Sequence, residues 1–383
     1  MSTATPAKRN TIISICKGIA IILMVIGHAE APELLTNFIY TFHMPLFFMA
    51  AGYFFSRKYL ADPWSFISKR IKGLYFPFLR WSIIFLLLHN IWFHFGILNE
   101  QFGNWTGGVT HPYTLRQALA RLLLIVTGMS GYDEFMAGAF WFFRGLLVAS
   151  IVFLLLYRLL DSHTKLPPTR AIGVICLSML ALIALRVEFG LKITVIPNGG
   201  WRETWGIFFF GAGVIFRSAE EKIKQWWYIA IPCFLFLCYA ATQHFSGMNN
   251  GAKMQDILTL PLTGVAGFLM IYYLSRAIDS RNSAIRRSLV FIGENTLYIF
   301  ILHIICFKPV SLLKIWWYGL DFGQIGCHMV IHDHKSGLFW ILYSIAGVAL
   351  PLLLLRSARV AKGRLSTLRR RKFAELPEPD IAD

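Results

Sequence analysis

Charge is scarce in this sequence: Asp, Glu, Lys and Arg make up 15% of its 383 residues, against 56% hydrophobic, and the mean hydropathy is +0.56. That balance excludes a soluble domain of ordinary make-up. Disulfide chemistry has little to build on. Of six cysteines, Cys16, Cys176, Cys233, Cys238 and Cys306 fall in apolar runs and only Cys327 in a connection, so no disulfide framework is implied. Nor is there an internal repeat of fixed period, a long linker, a Gly-x-Ser-x-Gly elbow or a standard zinc spacing, which leaves one membrane domain with no metal expected.

Long apolar runs, in contrast, are everywhere. About 20 apolar residues cross the roughly 30 Å of a bilayer's hydrocarbon as a helix. Ten runs qualify: 11–29, 37–55, 74–96, 139–160, 171–189, 204–217, 226–242, 257–275, 289–310 and 338–355, the sixth and seventh being short. The fold expected is all-α and polytopic, with a transmembrane domain over 1–355 and a basic juxtamembrane tail over 356–383, surrounded by membrane lipid. The first run reads as a retained helix rather than a cleaved signal, because its apolar stretch is long and Pro32 follows Ala29-Glu30-Ala31.

Orientation follows from the basic residues. With both termini cytoplasmic, the inner connections and tail hold 25 of the 37 Lys and Arg, including Arg57, Lys58, Lys69, Arg70 and Lys72, whereas the outer side holds eight, Lys308 and Lys314 among them. The net charge of +17 is then a topology signal and does not indicate nucleic acid. In the longest outer connection, about 97–138, Leu115, Ala118, Leu119 and Leu122 recur at helical spacing beside Arg116 and Arg121, as expected of an interfacial helix.

Ionisable residues inside a membrane are costly and mark functional candidates. The stretch KGIAIILMVIGH sets Lys17 and His28 eleven residues apart, three helical turns or about 16 Å, so both project from one face with Ile21 and Met24 between them. Taken singly, Lys17 reads as a snorkelling lysine and His28 as an interfacial histidine; together they suggest a polar path. In FHMPLFFMAAGYFF, Pro45 should kink the second helix beside His43. The ninth helix, entering at FIGENTLYIFILH, brings His303 to a similar depth. Arg144 of the fourth helix suits either an oxyanion or anionic acceptor, or a structural ion pair. The loop CHMVIHDHKS gathers Cys327, His328, His332, Asp333 and His334 without a metal spacing, and the glycines of FFFGAGVIF suggest close helix packing.

In order along residues 9–305, KGIAIILMVIGH, FHMPLFFMAAGYFF, SKRIKGLYFPF, AFWFFRGLLVA and FIGENTLYIFILH resemble the acyltransferase 3 family of bacterial membrane acyltransferases. The resemblance implies a ten-helix inner-membrane O-acyltransferase, most often an O-acetyltransferase. Its co-substrate would be cytoplasmic acetyl-CoA or another acyl-CoA, and its acceptor a surface glycan or lipid-linked saccharide. It further implies that His28 is the acid/base of acyl transfer, that Lys17 stands where the family has an arginine, keeping the charge without the bidentate fork, and that Arg70 and Lys72 belong to the donor entrance. Lys69, beside them, adds to a cationic anchor for the anionic nucleotide end of CoA. His43 and His303 are the other candidates for the proton transfer, and direct attack and an acyl-histidine relay both remain open. A proton-coupled transporter or flippase of an anionic substrate would use the same histidines, but the duplicated halves common in transporters are not seen.

Overall fold

The computed structural model describes residues 10–103, 111–220, 227–248, 251–335 and 337–374. All ten apolar runs are helical, and no strand occurs among the described residues. Among the described residues, eight helical stretches are long and apolar enough to cross a membrane. The two that are not match the short sixth and seventh runs. Trp201–Ala219 carries Arg202, Glu203 and Arg217 in its 19 residues, and Ala230–Thr242 has 13 residues.

The chain begins with α1 (Thr11–His28), whose first turn is capped by Asn10 accepting from the Ile13 N–H at 3.1 Å. It ends at Glu30, a non-glycine residue in the left-handed region (φ 61°), followed by Pro32 at the cap of α2 (Glu33–Tyr40). Next come α3 (His43–Tyr53), the single turn α4 (Lys58–Ala61), α5 (Pro63–Arg70) and α6 (Phe76–His94). Then follow α7 (Leu115–Gly128), α8 (Trp141–His163), α9 (Pro168–Glu188), α10 (Trp201–Ala219), α11 (Ala230–Thr242) and α12 (Asp256–Asp279). The chain closes with α13 (Ala284–Glu294), α14 (Thr296–Tyr318) and α15 (Phe339–Ala374).

Three local departures bear on the site. The second run is broken at Thr41 and Phe42 rather than kinked at Pro45, which sits in the first turn of α3, where its missing N–H costs nothing. Between α5 and α6 the helix widens into a π turn over Ile71–Tyr75. Pro77 supplies the reason, since its ring lacks the N–H and clashes with the carbonyl four residues earlier. The ninth run is interrupted at Asn295, so α13 is a separate short helix, and His303 lies two turns into α14 rather than four.

The centre of the bundle is α1, which packs against α3 and α12 to α15. Helix α13 crosses it so closely that a Cβ on Gly293 would strike the Ser14 carbonyl. Gly213 of α10 meets the Met49 backbone of α3 in the same way, as the glycine-rich run suggested. Such contacts let backbones approach where lipid offers no hydrophobic drive to association. Leucines such as Leu87, Leu177, Leu235 and Leu258 are exposed on the surface, where lipid takes the place of water.

Helix α7 is closed by a reciprocal capping box between Thr114 and Gln117, and it leaves Leu115, Leu119 and Leu123 exposed. Its connection is pinned to α6 by a buried pair between His89 Nδ1 and an Asp133 carboxylate oxygen at 2.5 Å, and by Asn90, which donates to the Tyr113 carbonyl and accepts from its N–H. Helix α15 runs through the basic stretch to Ala374 without a break at 355, while the end of the tail, and Lys8, Arg9, Lys222 and Lys224, lie outside the described residues.

Candidate active site

Two cavities border the face of α1 that carries Lys17 and His28. The first, of about 270 Å³, is lined by Lys17, Ile21 and Met24, by Phe47 and Ala51 of α3, by Gly73 and Leu74 of the π turn, and by Thr296 and Phe300 of α14. The second, of about 650 Å³, is lined by His28, by Glu30, Glu33 and Tyr40 beyond it, and by Cys327, His328 and His332 of the connection before α15. Helical periodicity makes this arrangement. Lys17, Ile21, Met24 and His28 form one stripe, so the same face that borders the first cavity ends in the second, about 6 Å further along the axis from Met24 to His28.

Where this stripe reaches the second cavity, two histidines meet. His28 Nδ1 lies 2.9 Å from His303 Nε2, and both rings are buried. Their centroids are 5.1 Å apart with planes inclined by 26°, the spacing of an edge-to-edge hydrogen bond rather than a face-to-face stack. The tautomers follow from the remaining contacts. His303 Nδ1 approaches the carbonyls of Ile299 (3.1 Å) and Phe300 (3.0 Å), which only accept, so this nitrogen carries the proton. In the neutral ring its Nε2 is then an acceptor, and the hydrogen of the pair belongs to His28 Nδ1. That leaves the lone pair of His28 on Nε2. A base is thus set in one tautomer by the ring behind it, the arrangement that general-base catalysis requires.

His43 is also buried, but its Nδ1 donates to the Ile39 carbonyl at 2.9 Å and its ring packs edge-on against Tyr40. Its hydrogen bond closes the α2–α3 break. Arg144 is buried on α8, where its Nε donates to a Glu203 carboxylate oxygen at 2.9 Å and its Nη1 to the Met129 carbonyl at 3.3 Å. The basic entrance is spread along α5 and the π turn. Arg70 lies over the rings of Phe66 (4.8 Å) and Phe210 (5.5 Å), Lys69 is exposed and donates to the Tyr59 hydroxyl at 3.4 Å, and Lys72 is exposed in the π turn next to Gly73.

Several polar groups of the second cavity escape a reading of apolar runs. Lys308 and Lys314, counted above with the outer side, are both buried within α14: Lys308 lies inside the ninth run itself, and Lys314 is taken in because the helix extends beyond 310 to Tyr318. Lys308 donates to the carbonyls of Ile325 (2.7 Å) and Cys327 (2.6 Å), and Lys314 to that of Ile331 (2.8 Å). Together they hold the loop that carries His328 against α14. Two lysines six residues apart inside an apolar stretch were the available signal. Burial, then the nearby charges of Lys308, His28 and His332, push the His328 pKa down to about 3, so that imidazole is neutral. At the rim, His332 Nδ1 donates to a Glu30 carboxylate oxygen at 2.6 Å, and this bond raises the His332 pKa. Asp333 accepts from Gln324, and His334 stacks on Tyr318. Among the described residues, no three His, Cys, Asp or Glu side chains gather closely enough to hold a metal ion.

A family model described as an acyltransferase domain matches residues 10–356, nearly the whole chain. No curated protein and no solved structure matches it.

Proposed function

The chain belongs to the acyltransferase 3 family and is a membrane acyltransferase, and from that premise we propose that it carries an acyl group, acetyl by preference, from acyl-CoA to a hydroxyl of a glycan or glycolipid. The observation that carries this reading is the buried histidine pair, of which His28 borders the second cavity and keeps its Nε2 outside the bond to His303. In this reading the first cavity admits the donor. Lys69, Arg70 and Lys72 meet the phosphates of CoA, Arg70 with its planar fork already braced on two aromatic rings, and the apolar strip of Ile21 and Met24 accompanies the pantetheine arm. The acceptor occupies the larger and more polar second cavity. Its hydroxyl loses a proton to His28 Nε2 while the oxygen forms a bond to the thioester carbon. The C–S bond then breaks, and the departing thiolate takes the proton back from His28. His303 steadies the imidazolium by accepting its Nδ1–H.

Two measurements bear on the donor side. Replacing Arg70 by Ala should weaken acyl-CoA binding about tenfold with unchanged thermal stability, and Lys17→Met should do likewise, whereas Lys17→Arg should keep most of the affinity. Calorimetric titration of the purified protein with CoA checks this, and an unchanged affinity in both charge-removing variants would take the donor out of the first cavity.

For orientation, the distribution of basic residues supports the Lys17 side and both termini as cytoplasmic, in a bacterial inner membrane, with the acceptor on the far side. A reporter fused near residue 65, in the first turn of α5, is expected to read as cytoplasmic. The opposite signal would reverse the assignment of the cavities. Transfer of label from acetyl-CoA into the surface glycan or lipid fraction, present with this protein and lost without it, tests the reaction itself.

A further inference from the structure

His328 stands in the second cavity with its Nδ1 buried and without a hydrogen-bond partner among the described residues. Such a group is costly when nothing pairs with it. It is not left there by a loose loop. The preceding peptide carbonyl, that of Cys327, is gripped by the Lys308 ammonium at 2.6 Å, and three residues on, the Ile331 carbonyl is gripped by Lys314 at 2.8 Å. Residue 329 between them takes up the left-handed conformation (φ 56°), which a methionine adopts only under constraint. Two buried cations and a strained turn therefore fix an imidazole in the cavity that His28 borders.

We propose that His328 is a further catalytic residue, whose Nε2–H, on the ring nitrogen that is not closed off by burial as Nδ1 is, donates to the thioester carbonyl oxygen as negative charge collects there. The assignment rests on the acyltransferase reading above. As the acceptor oxygen bonds to the carbonyl carbon, the π pair of the C=O bond moves onto that oxygen, and the acceptor's proton passes to His28. When the oxyanion collapses, the pair returns to the C=O bond, the C–S bond breaks, and the proton goes from His28 to the thiolate. His328 gives up no proton in this sequence. A neutral imidazole suits that task, because it offers a donor without competing with His28 as a base, and Lys308 behind the loop biases the site towards negative charge.

The test uses membrane vesicles from the cells that make the protein, which contain the native acceptor, supplied with radiolabelled acetyl-CoA. His328→Ala should lower the maximal rate of label transfer about a hundredfold with the KM for acetyl-CoA changed less than threefold. His328→Gln, whose amide N–H can occupy a similar position, should recover at least a tenth of the parental rate. A His328→Ala rate within threefold of the parent would overturn the assignment, and so would a loss expressed only in KM. Equal losses for the Ala and Gln variants in protein that still melts at the parental temperature would also overturn it, since shape rather than a donor would then matter. Vesicles with the parental protein that transfer no label above those without it would instead remove the acyltransferase reading with acetyl as the acyl group, and this assignment with it.

Discussion

The His28→Ala protein is expected to bind acyl-CoA as the parent does and to turn it over about a thousandfold more slowly, within the range lost with a positioned acid/base. The expectation is this large because no neighbour duplicates this imidazole. Its Nε2 is the end of the pair left free of the His303 bond, and His303, whose own Nε2 is taken by His28, is turned by its Nδ1 to the carbonyls of Ile299 and Phe300. Label transfer from acetyl-CoA in native vesicles gives the rate, and calorimetry with CoA gives the binding. A folded His28→Ala protein that transfers label at the parental rate would make this histidine structural and hand the proton transfer to His43 or His303. A covalent acyl-histidine route makes the same demand on Nε2, and brief exposure of the parent to labelled donor without acceptor would reveal it as label on the protein.

The second large effect is on stability. Removing the Glu203 carboxylate with Glu203→Ala should cost about 3–5 kcal/mol, because it abandons the Arg144 guanidinium in a buried position with its Nε unpaired. The double variant Arg144→Met, Glu203→Met should regain most of that loss, since two well-packed apolar chains replace a buried pair at little net cost. Thermal unfolding in detergent measures both. If the double variant is as unstable as Glu203→Ala, the pair is not the source of the cost. If it is stable but no longer transfers label, Arg144 has the anion-binding role rather than a structural one alone.

The helices were legible in the sequence because their signal is summed over about 20 residues each, so that single errors do not matter. The stripe from Lys17 to His28 was equally legible, since a helix of known pitch leaves no choice of face. What the sequence could not show was which stripes meet. The contact between His28 and His303 joins residues 275 apart, and it depends on where α13 stops at Asn295, a boundary set by Gly293 packing on α1 rather than by any hydropathy change. Glu203 was hidden for another reason. It lies in the first turn of α10, which begins at Trp201, three residues before the apolar run that starts at 204. Lys308 and Lys314 were misplaced likewise, because a lysine inside a helix and one beyond its end look alike until its partners, here three backbone carbonyls, are seen.

The order of hydrogens in the histidine pair has a consequence for the membrane itself. Both Nδ1–H groups point the same way, and the series finishes on two peptide carbonyls, which accept a hydrogen bond but have no proton of their own to pass on. A wire that conducts protons needs each member to give one up as it takes another; this one has a blind end. On the proposed mechanism, a proton collected by His28 would therefore leave from the side on which it arrived, and the pair would cycle its charge at every turnover without opening a proton path across the bilayer.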